Sequence, residues 1–509
     1  VTTINRVNFV YQRDFGIKLQ LIGNNDLLYE STDNGVLDNE NEFALLGQVN
    51  DWIDTRLPNG DDDYDIGHMF SQPSIFGGGI ANIGAVCDNS IKAGGVSGLN
   101  NPVGDAFDID LVAHEIGHQF NAEHSFNGTT SACVNRNSAT AYEPGSGSTI
   151  MAYAGICAAE NLQTNSDASF HAGSIAQVDA FTATGAPGRA CATQIPTSPA
   201  GNADPSITAI ANTTIPANTP FLLEGSASDA DLDTLEYRWD QMDAGCPTDD
   251  STFGTDNGSN ALFRSHRPRP ESWRNFPALG TQVLNFFDKA EVLACHDRAL
   301  DFRLTATDAR SGQNFEDVRV VVDAAAGPFV ITNLDPAPSI VAGTAFAVDW
   351  DVAGTDSAPV DCANVDIDLL TFSAGYSSYS VYSLSSDTAN DGTELVTINP
   401  PGANHPRARV RVKCSDNIFY DISDADLSVT PVPPADPPLA DNGFTTRFYA
   451  NIATTGVTAP ACGPIVDCSA PAPPGDTGSG EHDASAFGHA WLLLLGGLAA
   501  LRRIRCRQG

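Results

Sequence analysis

Positive charge is what this chain has least of. Lysine occurs only at Lys18, Lys92, Lys289 and Lys413, and Lys plus Arg number 26 against 63 Asp plus Glu in 509 residues, a formal charge of -37. So acidic a chain is repelled by phosphate backbones and anionic headgroups, which argues against nucleic acid or an anionic membrane surface as partner. The same surface stays soluble at high salt and can collect calcium, which suggests a saline habitat. An initiator and a charged-plus-apolar leader are also missing ahead of Val1, so the chain reads as a processed or truncated product. Cysteine, by contrast, is not scarce: 11 residues exceed what a reducing cytosol favours. The length exceeds one hydrophobic core and predicts three to four domains.

The chain is organised around His114 to His124, which reads His-Glu-Ile-Gly-His-Gln-Phe-Asn-Ala-Glu-His. On a helix His114 and His118 stand about 6 Å apart along the axis and near one face, close enough to share one cation. Glu115 falls beside them, placed to take a proton from a metal-bound water. In an unbroken helix His124 would lie about 9 Å beyond His118, out of reach. The chain must therefore bend between them, and Asn121, which tolerates positive φ, is the residue to do it. Three neutral imidazoles with an open fourth position are the ligand set of a catalytic zinc.

The stretch resembles the metzincin zinc peptidases, whose zinc motif is followed downstream by a Met-turn; Ser148-Thr-Ile-Met151-Ala-Tyr153 looks like that turn. Within that group it most resembles the reprolysin-like (adamalysin-related, M12B-type) peptidases of bacteria, through Asn101-Pro-Val-Gly-Asp105 and Tyr142-Glu-Pro-Gly-Ser-Gly-Ser148. One departure is Asn121, which stands where the family has Gly. The resemblance covers roughly residues 1–195 and implies an α/β (α+β) metzincin catalytic domain. It implies Met151 as the apolar floor beneath the metal, and in some members a Tyr at the position of Tyr153 approaches the zinc or the oxyanion. It also implies that Ile80–Cys87, with Gly84, Ala85 and Val86, is the sheet edge to which an extended substrate adds by backbone hydrogen bonds; a plain core strand is the alternative. A strand that metzincins place before the first helix is missing.

Elsewhere in this region Thr2–Phe15 and Glu40–Leu57 have helical periodicity, and Ile17–Ile22 and Tyr64–Phe70 read as strands. Asp105, Asp108 and Asp110 precede or begin the active-site helix, where carboxylates cap its positive end or collect calcium.

From about Pro196 the texture becomes all-β, and two immunoglobulin-like sandwich modules are expected over 204–324 and 328–431. Asp229, Asp231 and Asp233 alternate on one connection, which either binds calcium, as in the cadherin-like and polycystic-kidney-disease-type repeats it loosely resembles, or is a solvated acidic turn. Ten of the cysteines fall in even groups: Cys87–Cys191 with Cys133–Cys157 in the first domain, one choice among several, then Cys246–Cys295, Cys362–Cys414 and Cys462–Cys468, with Cys506 left over in the C-terminal tail. Residues 432–483 form a Pro/Gly-rich linker. Residues 484–501 are mostly apolar and precede Arg502, Arg503, Arg505 and Arg507, which predicts a transmembrane helix with a cytoplasmic end. That order resembles a C-terminal sorting signal of Gram-negative bacteria, and it places the protein outside the cell or at its surface after a transient inner-membrane stage.

The fold expected is thus a metzincin domain, two sandwich modules and a membrane helix. The function expected is an exported zinc metalloendopeptidase acting on protein or peptide. The alternative is a surface adhesin carrying an inactive peptidase fold. Substrate preference and oligomeric state are not legible.

Overall fold

The computed structural model describes residues 1–29, 35–73, 77–193, 202–308, 310–335, 338–376, 378–399, 404–430, 462–466, 468 and 482–485. The chain opens on helix α1, Thr2–Phe15, whose apolar side buries Val7, Val10 and Tyr11 and which Gly16 ends in the left-handed conformation. Residues 17–22 keep the alternating exposure of a strand but pair with no other strand. The side-chain amide of Asn8 instead satisfies their backbone, accepting from Leu19 N at 2.7 Å and donating to Leu19 O at 2.8 Å. Helix α2, Glu42–Arg56, is capped by Asn41, whose side chain accepts from Ala44 N.

Three short strands follow: β1 (Met69–Ser71), β2 (Gly78–Asn82) and β3 (Gly95–Gly98). β3 lies between the other two, parallel to β1 and antiparallel to β2. The helix that carries His114 and His118, the active-site helix of the sequence reading, runs across this sheet in three segments, Asp105–Phe107, a π-wound Asp108–Ala113, and His114–Gln119. Its first acidic residues are not caps. Asp105 forms a paired bond with the guanidinium of Arg6 on α1, at 2.7 and 2.8 Å, and Asp110 is buried and accepts from Ser166 N. One apolar core joins α1, this helix, Met151 and the closing helix Ala172–Thr182.

Beyond residue 202 the described chain is built of β-strands, with one short helix at Leu279–Val283. One sheet orders Thr213–Pro216, Gln313–Asp323, Arg298–Asp308 and Leu235–Gln241; a larger one is built on Asn364–Phe372 and His405–Cys414. These two parts are not beads on a string. A single hydrophobic cluster runs from Ile215 through Phe221 and Phe302 to Trp350, Val410 and Phe419, and the backbones join at Leu222 N to Ile418 O and Tyr420 N to Pro220 O.

The structure links Cys87 to Cys191, Cys133 to Cys157 and Cys362 to Cys414. It corrects the other two pairs: Cys246 bonds Cys468 and Cys295 bonds Cys462. The reason is that the segment at 462–466 lies along the second domain instead of folding on itself, with Val466 N on Asn257 O and His296 Nε2 on Gly463 O.

The membrane-spanning helix is also corrected. Among the described residues no helix is long and apolar enough to cross a membrane. Ala484 and Ser485, the first residues of the expected span, lie in a strand, His482–Ser485, paired antiparallel with β2. The outer edge of β2 offers a row of backbone donors and acceptors, and an extended segment satisfies its own by adding there. The membrane contact, the sorting signal, the inner-membrane stage and the exported or cell-surface localisation drawn from that span fall with it. The rest of the expected span and the arginine tail, like most of the 432–483 linker, lie outside the described residues.

Candidate metal centre

His114 and His118 project from successive turns of the active-site helix. The helix stops immediately afterwards: Asn121 has φ of 72°, and Asn121 N and Ala122 N bond back to His118 O and Gly117 O. This left-handed residue reverses the chain and brings His124 to the other two. The three imidazoles each offer a ring nitrogen, all within 4.8 Å of one another, and are 1 %, 0 % and 1 % exposed.

Each ring is held by a backbone carbonyl at Nδ1: His114 by Ile150 O at 2.6 Å, His118 by Ala122 O at 2.7 Å, and His124 by Asn135 O at 2.8 Å. A carbonyl only accepts, so each Nδ1 carries the proton and each Nε2 presents a lone pair. The Nε2 atoms of His114 and His118 therefore face each other as two acceptors at 3.1 Å. Such a pair repels unless a cation lies between, and tetrahedral nitrogen ligands on zinc, at about 2.0–2.1 Å from the metal, stand roughly 3.3 Å apart. Burial, followed by the neighbouring imidazole, holds all three pKa values down to about 3, so the rings are neutral as ligands must be. The residues fit a divalent metal.

Met151 is fully buried in the turn that supplies the Ile150 carbonyl, and Met151 O accepts from Ser125 N just past His124. Tyr153 is 1 % exposed, its ring stacked on Phe126 at 4.6 Å and edge-on to His124 at 4.6 Å. Glu115 is buried beneath β2: a Cβ added at Gly79 would come within 2.3 Å of its Oε1, so only glycine lets the strand lie this close.

Gly84, Ala85 and Val86 are not on the sheet edge. They form a turn after β2, in which Gly84 N donates to His118 O, beside the bond that carbonyl takes from Asn121 N, and Val86 N donates to Gln119 O at the end of the helix. The strand stops at Asn82, and the outer side of β2, Gly78–Asn82, is taken by His482–Ser485.

Two elements of the site were missed in the sequence. Glu143 is fully buried, and its carboxylate accepts from Ser125 Oγ, Ser148 N, Thr149 N and Thr149 Oγ1, tying the loop after His124 to the Met-turn. Its signal was a lone carboxylate among small polar residues ahead of that turn. The second domain is the other element. Asn127 Nδ2 donates to Cys246 O, Thr248 N to Asn127 O, and Thr248 Oγ1 to buried Glu160, so this domain braces the loop that carries His124 and Asn135. This module is thus part of the site's support. No local sequence signal announces such a long-range contact.

Asp229, Asp231 and Asp233 do come together, with carboxylate oxygens within 4.8 Å. Asp229 Oδ1 accepts from Asp231 N and Asp233 N, Asp231 Oδ2 accepts from Ala203 N, and Asp233 Oδ1 faces Arg310 Nε at 3.3 Å.

A family model described as metallo-peptidase family M12B, reprolysin-like, matches residues 1–180. No curated protein matches the chain. Among solved structures, the tandem Ig repeats of Dlar are similar at 12 % identity over 45 % of this chain and 98 % of that one, with a TM-score of 0.24. The N-terminal Ig1-2 module of the Drosophila receptor protein tyrosine phosphatase DLAR matches at 12 %, 45 % and 99 %, with a TM-score of 0.24. The Bacteroides ovatus SGBP-B, in complex with a mixed-linkage heptasaccharide, matches at 12 %, 46 % and 48 %, with a TM-score of 0.14. TM-scores this low carry no argument about fold or ligand. The N-terminal region, by its family match and its cluster of His114, His118 and His124, is metzincin-like and able to hold a metal ion.

Proposed function

We propose that the N-terminal domain is a zinc-dependent endopeptidase. The observation that carries this reading is the pair of mutually facing Nε2 lone pairs of His114 and His118, each ring fixed by a carbonyl at its other nitrogen, with His124 completing the set. Zinc held there would supply Lewis acidity and lower the pKa of a bound water. Glu115, one residue from His114 and under β2, is positioned to take the proton of the attacking water and return it to the leaving amine. β2 would hold the substrate by main-chain hydrogen bonds, which are tolerant of side-chain identity, and would set the scissile peptide above Glu115.

The remaining groups position these. The Ile150 carbonyl orients His114, Met151 packs against the helix at Gly117, Tyr153 walls the His124 ring, and Glu143 locks the two loops together. For Asp229, Asp231 and Asp233 we favour a turn over a calcium site, because Asp229 Oδ1 and Asp231 Oδ2 already accept backbone N–H groups and Asp233 Oδ1 meets Arg310.

The test is hydrolysis of casein or a quenched peptide by the purified chain, with and without chelator. Chelator-sensitive hydrolysis supports the reading. No cleavage of any peptide by zinc-loaded protein would favour a binding role for the domain.

A further inference from the structure

β2 is the outermost strand of the catalytic sheet but for one addition, the segment His482–Ser485. It runs antiparallel, with Gly79 opposite Ser485, Ile80 opposite Ala484, Ala81 opposite Asp483 and Asn82 opposite His482. Glu115 lies directly under Gly79, so the tail backbone passes one strand spacing, about 4.8 Å, from the residue that covers the catalytic carboxylate. This is the seat that a substrate peptide needs.

A second observation brings the tail to the same place. Cys468 and Cys462 are tied to Cys246 and Cys295, and Cys246 O is itself bonded to Asn127 beside the third metal ligand's loop. Thirteen residues join Cys468 to His482, at most roughly 45 Å of chain, and covalent linkage gives a strand of the same molecule an effective concentration on the order of millimolar. A peptide arriving at micromolar concentration competes poorly against it.

From these two facts we infer that His482–Ser485 is an intramolecular strand ligand of β2, occupying the seat of a peptide substrate and keeping the cleft closed until it is displaced. This rests on the peptidase reading of the site.

The test uses the full-length chain and its variant Asp483→Pro with Ala484→Pro, which removes whichever of these two backbone donors faces β2, is incompatible with a paired strand, and leaves both disulfides in place. Hydrogen exchange of Gly78–Asn82 reads the pairing without reference to catalysis, and kcat/KM on a quenched peptide reads competition. Unchanged thermal unfolding verifies that the variant is folded. The expected result is faster exchange across β2 in the variant and roughly a ten-fold gain in kcat/KM as the tethered competitor is lost. Equal exchange in the two proteins overturns the inference, as does faster exchange with an unaltered kcat/KM. Faster exchange with hydrolysis by neither protein would leave the strand contact standing and sink the peptidase reading instead.

Discussion

Gly117 and Met151 are in such close contact that a Cβ at Gly117 would come within 2.5 Å of the methionine sulfur and 3.3 Å of Phe170. The helix that carries two metal ligands thus rests directly on the turn whose carbonyl orients one of them.

Gly117→Ala overpacks this contact. Helix propensity favours Ala, but the buried clash decides the sign, and a loss of about 1–3 kcal/mol is expected for such overpacking. Thermal unfolding of the variant checks it; an unchanged or higher Tm would show that the turn yields freely.

Glu115→Gln preserves the shape of the side chain and removes its basicity. Zinc content should stay at the wild-type level while hydrolysis falls by about 100-fold or more. Elemental analysis together with a peptide assay separates the two effects.

Glu143→Ala leaves the hydroxyls and amides of Ser125, Ser148 and Thr149 without their shared acceptor. Losing a buried carboxylate with this many donors should cost about 2–4 kcal/mol, and zinc affinity should fall as the His124 loop loosens. Denaturant unfolding and zinc titration measure the two.

Asp110 gives a pH dependence with a definite sign. Burial raises its pKa to about 7, above the ordinary carboxylate value, so the folded protein prefers it neutral. The stability this confers is complete below about pH 4 and is lost as pH rises towards 7. Asp110→Asn, which can still accept from Ser166 N, should raise Tm relative to the wild type at pH 8 and bring no such gain at pH 4. Equal differences at both pH values would contradict the shift.

What the sequence made legible is what short-range rules govern. The spacing of His114 and His118, the need for a bend before His124 and a residue at Asn121 able to make it are all local, and each appears in the structure as a local feature. Helix α1 follows from its apolar period and from Gly16. The strand expected over Ile80–Cys87 stops at Asn82: its composition is a strand's throughout, but Gly84 N and Val86 N bond to His118 O and Gln119 O, and Gly84–Val86 turn away from the sheet. The pairing of Cys246, Cys295, Cys462 and Cys468 and the docking of His482–Ser485 depend on contacts between residues far apart in the chain, which no local pattern encodes. The apolar run after Ser485 dominated its neighbourhood, and two residues assigned to a helix belong to a strand.

The account stands or falls on the metal. Elemental analysis of the dialysed full-length chain, set beside a variant with His114→Ala and His118→Ala, tests it most directly. One zinc per chain in the first protein and none in the second, with peptide hydrolysis following the zinc, is the predicted result. Equal metal in both, or hydrolysis that persists after the zinc is gone, would contradict it.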